Sequence, residues 1–118
     1  MLILAIAYLA GPQPTEGKYP AHLPAVNVNL TALNDSINLA EDSQELIRPN
    51  NEARIVWHDS IRRTARVLLY LHGFSASEEE GAPLHENIAR KMGANLYLAR
   101  LAGHGLNEDN LEDFTVSE

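Results

Sequence analysis

The sequence predicts an α/β fold. Three observations carry this. Val67-Leu68-Leu69-Tyr70-Leu71 is a continuous apolar run of strand length, ended by His72-Gly73. Residues 82–92 then show helical periodicity, with Leu84, Ile88 and Met92 at i, i+4, i+8. Leu96-Tyr97-Leu98-Ala99 is a second short apolar run, ended in turn by Gly103-His104-Gly105. Strand, loop, helix and strand in that order make a βαβ unit, whose crossover is right-handed in nearly all proteins. Continuous rather than alternating apolarity predicts that Val67–Leu71 is buried on both faces.

The elements follow along the chain. Met1 to Ala10 reads MLILAIAYLA, uncharged and apolar, before Gly11, Pro12 and Pro14 stop it. Ten residues fall short of the ~20 that a bilayer span requires. The length suits the central part of a secretory signal, but the basic segment that precedes one is missing. Three readings stand open: a signal or anchor with its first residues lost, an edge strand or short core helix, and an unpartnered apolar tail. The first implies export or membrane association, and the others leave a cytoplasmic location. Residues 1–24 form this run with a Pro-rich segment, where Pro12, Pro14, Pro20 and Pro24 predict extended, irregular chain. Residues 25–52 form a helical lead-in. Within it Leu30, Leu33 and Ile37 predict a helix over 28–40, ended by the turn residues Arg48-Pro49-Asn50-Asn51. Asn29-Leu30-Thr31 and Asn34-Asp35-Ser36 match the N-glycosylation pattern, which is frequent by chance and carries no argument.

The third unit is 53–118. Ala53 to Trp57 reads as a short strand, with Trp57 in the core, and His58 to Arg63 as a loop. Arg62, Arg63 and Arg66 read as solvated cations near a sheet edge. Pro83 suits the first turn of the second helix, and Gly93 is placed to end it. Glu78, Glu79 and Glu80 read as a solvated entrance to that helix, where its dipole favours anions. His85 reads as a surface residue. Asn107 to Glu118 is acidic and could open another helix near Leu111 to Phe114.

Composition narrows the chemistry. The chain of 118 residues carries 9 Lys+Arg against 16 Asp+Glu, a formal charge of -7, which argues against an electrostatic nucleic-acid surface. It has no cysteine, so disulfides, zinc-thiolate sites, iron–sulfur clusters and a cysteine nucleophile are excluded. No metal or other cofactor is expected. His104 has no second ligand at a spacing such as H-E-x-x-H.

The string Leu71-His72-Gly73-Phe74-Ser75-Ala76-Ser77 after one strand, and Arg100-Leu101-Ala102-Gly103-His104-Gly105 after the next, resemble the first half of an α/β-hydrolase. The likeness is to bacterial esterase, lipase and serine-aminopeptidase-like members, and covers about 53–114. It implies a partial α/β-hydrolase sheet, strands 2 to 4 with helix A. Leu96–Ala99 would then pair in parallel with Val67–Leu71 and antiparallel with Arg54–Trp57. In such a site, prepositioned backbone N–H groups stabilise the oxyanion of acyl transfer, and one comes from this loop. The resemblance assigns that donor to the Phe74 N–H, unpaired and facing a cleft. His72, Gly73 and Ser75 become the supporting loop, with Gly73 in backbone angles closed to other residues. Gly103, His104 and Gly105 become a substrate-side rim. His72 is expected to brace the loop rather than to act as a base, since the family's base lies far downstream.

The rest of the machinery is missing. No G-x-S-x-G occurs, Ser75 and Ser77 lack its glycine framework, and no histidine follows His104. The resemblance therefore implies the amino-terminal part of a serine hydrolase acting on a small-molecule ester or amide, inactive alone. The alternative is a small non-catalytic α/β module that binds a protein partner. Two parallel strands, one helix and an antiparallel strand leave a face and an edge open, which invites self-association.

Overall fold

The structure, a computed structural model, describes residues 10–11, 22, 25–26 and 29–107. The first apolar run, most of the Pro-rich segment and the acidic end with its expected helix lie outside the described residues. Within 29–107 the chain runs α1 (Leu30–Asp42), β1 (Arg54–Val56), β2 (Val67–Tyr70), a 3-10 turn (Glu78–Gly81), α2 (Leu84–Met92) and β3 (Asn95–Leu98). The fold is mixed α/β. Its three strands lie in the order β1-β3-β2. β1 is antiparallel to β3, with Ile55 opposite Tyr97, and β2 is parallel to β3, with Leu69 opposite Tyr97. These are the pairings expected above. No helix among the described residues is long and apolar enough to cross a membrane.

The helix ends follow local chemistry. Asn29 caps α1, its side-chain oxygen accepting the Ala32 N–H at 3.1 Å. That cap shifts the helix two residues toward the carboxyl end of the expected 28–40. α2 stops at Gly93 in the left-handed region, φ 61°. There the Gly93 and Ala94 N–H groups return to the Arg90 and Ala89 carbonyls, closing a Schellman motif.

One face of the sheet holds the core. Leu96 and Leu98 are fully buried, with Ala89 of α2 against them and Val56, Leu68 and Tyr70 around them. Each fully buried leucine contributes about 1.5–3 kcal/mol. Two expectations fail here. α2 buries His85 and Ala89, whereas Leu84, Ile88 and Met92 are exposed. The small Ala89 lets the helix approach the sheet closely, and the larger stripe points away. Val67–Leu71 is not buried on both faces: Leu68 and Tyr70 point into the core, while Val67, Leu69 and Leu71 are exposed. α1 only half-covers that second face. Leu30, Leu33 and Ile37 line a groove of about 590 Å³ with Ile55, Trp57 and Tyr97.

The β1–β2 connection hangs on the buried Asn95, which holds it through three atoms. Its Oδ1 accepts the His58 N–H at 3.0 Å, its Nδ2 donates to the Arg62 carbonyl at 2.8 Å, and its N–H donates to Thr64 Oγ1 at 3.1 Å. Arg62, Arg63 and Arg66 are exposed, and Arg62 pairs with Asp59. Trp57 is half-buried and not core; its indole N–H donates to Asn34 Oδ1 at 3.0 Å, joining β1 to α1.

Candidate functional site

β2 delivers the chain to His72, and β3 delivers it to Arg100. Because the two strands are parallel neighbours, the loops at their carboxyl ends lie side by side. This is where open α/β sheets bind ligands. His72 and His104 are both buried, with ring centroids 5.0 Å apart. Phe74 stands edge-on to His104 at 5.6 Å and is itself 71% exposed. The topology thus gathers Phe74 and His104 from loops thirty residues apart in the chain.

His72 joins the loops. Its Nε2 accepts the Leu101 N–H at 3.1 Å, so that nitrogen carries no proton. The ring proton sits on Nδ1, which donates to the Gly73 carbonyl at 3.0 Å. Both nitrogens are committed, one to each loop, so His72 has no lone pair to offer a substrate. His104 is 2% exposed and holds its own loop through Nδ1, which lies 2.8 Å from the Ala102 carbonyl. Gly103 and Gly105 on either side have φ of 70° and 72°, which glycine tolerates without strain. At Gly105 a side chain would also meet Asn51 Cβ at 3.1 Å.

The 72–76 loop is a tight turn. The Gly73 carbonyl accepts the Ala76 N–H at 3.1 Å, with Phe74 and Ser75 at the two central positions. Here an expectation is corrected. Gly73 has no left-handed backbone, and an added Cβ would meet nothing closer than Glu80 Oε2 at 3.6 Å. The left-handed residue is Ser75, φ 60°. A negative φ followed by a positive one is the type II pattern, whose third position favours glycine. Gly73's N–H instead donates to Glu80 Oε2 at 3.3 Å. Phe74's N–H has no acceptor among the described residues.

Beneath the turn lies a second cluster that the sequence did not reveal. Glu78 is 4% exposed, not solvated, and pairs with Arg54 at 2.5 Å. His85 is 4% exposed, not a surface residue. Its Nε2 lies 3.0 Å from the Glu78 carbonyl and 3.3 Å from Glu78 Oε2. Both are acceptors, so Nε2 carries the proton and Nδ1 is left bare and buried, without a partner. The Tyr70 ring meets His85 edge-on at 4.8 Å.

A second polar link ties α1 to the rim loop. The Arg100 guanidinium forks onto Glu41, Nε to Oε2 at 2.6 Å and Nη2 to Oε1 at 3.0 Å. Arg100 and Glu41 side chains are 10% and 12% exposed. Glu41 Oε2 also accepts the Ala53 N–H at 2.9 Å, and Arg100 Nη1 donates to the His104 carbonyl at 3.3 Å. Burial and the neighbouring Glu41 push the Tyr97 phenol above its ordinary range. Among the described residues no group of three or more His, Asp or Glu side chains is placed to hold a metal ion.

The groove under α1 is lined by none of residues 72–75 or 100–105. No family model, no curated protein and no solved structure matches the chain.

Proposed function

We propose that this chain is the amino-terminal part of a serine hydrolase of α/β-hydrolase type, acting on carboxylic esters or amides, and that it supplies one half of an oxyanion hole. The Phe74 N–H carries the reading. It follows the carboxyl end of a parallel strand and donates to nothing among the described residues, as a donor reserved for a developing oxyanion must. The left-handed Ser75 beside it supports the reading, since non-glycine residues in that region cost of order 1–3 kcal/mol and cluster at functional turns. The strand order and the His72 brace are consistent with it.

The chemistry then divides. This chain holds the substrate oxygen from one side. A nucleophilic serine, a second N–H, an acid and a histidine base come from sequence beyond Glu118. The gene read past that codon is expected to hold G-x-S-x-G within about 20–40 residues, the span of one more helix and strand. In that longer protein, Phe74→Ala keeps the main-chain donor and most of the turnover of an activated ester. Phe74→Pro removes the N–H and lowers kcat about 10²-fold or more. A proline variant as active as the alanine variant removes Phe74 from the mechanism. The chain by itself is expected to give no turnover and no labelling by a fluorophosphonate.

The exposed apolar residues Val67, Leu69, Leu71, Leu84, Ile88 and Met92 favour a second reading, a non-catalytic module that binds a protein partner. A stop codon directly after Glu118 supports it.

A further inference from the structure

We propose that Glu41 is a positioning residue for the 72–76 turn, acting through Arg100 and the rim loop on the ring of His72. The functional weight of this inference rests on the reading of Phe74 as an oxyanion donor. The structural coupling does not.

Each link is a short polar contact. Glu41 receives the Arg100 fork at 2.6 and 3.0 Å. Arg100 reaches back to the His104 carbonyl at 3.3 Å, so one guanidinium holds both the start and the end of the 100–104 loop. The next residue, Leu101, gives its N–H to His72 Nε2 at 3.1 Å. His72 Nδ1 donates to the Gly73 carbonyl at 3.0 Å, and that carbonyl also closes the turn by accepting the Ala76 N–H at 3.1 Å. Phe74 lies inside that turn. A rotation of the rim loop would move the Leu101 N–H off the His72 ring and free the ring to turn.

The charge is placed where it matters. A near-buried bidentate Arg–carboxylate pair fixes orientation as well as distance, which a lysine or an amide cannot copy. The lead-in also grips the rim at a second place, where Arg48 N–H donates to the Gly105 carbonyl at 2.8 Å and Asn107 N–H to the Leu46 carbonyl at 2.9 Å. Those backbone bonds keep the loop attached when the ion pair is lost. The pair then sets the loop's angle and not its presence. A helix outside the βαβ unit thereby governs the geometry of the turn.

The test reads the His72 tautomer and the Leu101 amide by NMR in the full chain. In the wild type, ring 15N shifts are expected to show His72 protonated at Nδ1 and His85 protonated at Nε2, an internal contrast of opposite tautomers. Glu41→Gln removes the charge and places an N–H₂ against other donors. Arg100→Lys keeps the charge and removes the fork. Both are expected to lower the protection of the Leu101 amide at least about tenfold, through local opening, and to bring the second tautomer into view at His72. His85 should not change. A wild-type His72 protonated at Nε2 overturns the proposal. So do two folded variants with Leu101 protection and His72 shifts unchanged. Failure of both variants to fold makes the pair a determinant of folding and overturns it as well. The two readings separate cleanly. Coupling present without a Phe74→Pro effect in the longer protein sinks the hydrolase reading alone, and the reverse result sinks this one alone.

Discussion

Replacing Gly81 or Gly73 by alanine should have different effects, although each glycine is one methyl group from alanine and both lie in the connection between β2 and α2. At Gly81 the added Cβ would lie 2.5 Å from Tyr70 Cζ, 2.6 Å from His85 Cδ2 and 2.7 Å from Tyr70 Cε2. Carbon atoms pack at about 3.5–4.0 Å, so the two rings must retreat by roughly 1 Å. They have little room, because His85 is 4% exposed and Tyr70 already meets it edge-on at 4.8 Å. Retreat would stretch the His85 Nε2 contact to the Glu78 carbonyl, now 3.0 Å. Overpacking costs about 1–3 kcal/mol and a lost hydrogen bond about 1. The stiffer unfolded chain returns about 0.4–1 kcal/mol. Gly81→Ala should therefore destabilise by about 2 kcal/mol, the middle of that range. At Gly73 the added Cβ meets only Glu80 Oε2 at 3.6 Å, an ordinary contact, and the backbone is not left-handed. The unfolded-state effect then dominates, and Gly73→Ala should leave stability unchanged or raise it by up to about 1 kcal/mol. Urea unfolding followed by fluorescence of Trp57, the one tryptophan in the sequence, measures both, as midpoint shifts at constant slope. A Gly81→Ala midpoint at or above the wild type would refute the packing argument.

Two other outcomes follow from ionisable side chains. Glu78→Ala should cost about 3 kcal/mol in the same urea assay, the low end for breaking a buried pair because Arg54 is one-third exposed; a loss under ~0.5 kcal/mol, the level of an ordinary surface substitution, would place Glu78 in solvent. The Tyr97 phenol is held above its ordinary value near 10 by burial and then by Glu41, so below pH ~10 both folded and unfolded chains keep the proton, and above it the unfolded chain loses its proton first. Stability should fall as pH rises beyond ~10, and Tyr97→Phe should remove part of that fall; an alkaline limb identical in the variant would refute it.

The division between what one dimension carries and what three decide runs through particular residues. Element type was legible where side-chain periodicity acts locally. Leu30, Leu33 and Ile37 announced α1, Gly93 announced the end of α2, and the two apolar runs announced β2 and β3. The sheet's order and polarity were expected only from the resemblance to an α/β-hydrolase and are those observed, β1-β3-β2. Which face of each element is covered was not legible. The stripe Leu84, Ile88 and Met92 had the hydrophobicity to be the buried face, yet α2 turns Ala89 and His85 inward. Close approach to Leu96 and Leu98 rewards a small side chain, and His85 finds its hydrogen-bond acceptor on Glu78, seven residues back. Polarity misread Glu78 and His85 for the same reason, since a charged or polar side chain is expected in water until a partner is known. Glu41 and Arg100 lie 59 residues apart, and nothing in either neighbourhood points to the other. The sequence alone determined the helices, the strands and the two histidine–glycine loops, because turns and periodicity are properties of adjacent residues. The tertiary structure alone decided that Ser75 and not Gly73 takes the left-handed position, that His72 protonates at Nδ1, and that α1 reaches the rim. The last two depend on which donor meets which acceptor between segments far apart in the chain, and the first on how the 73–76 turn closes.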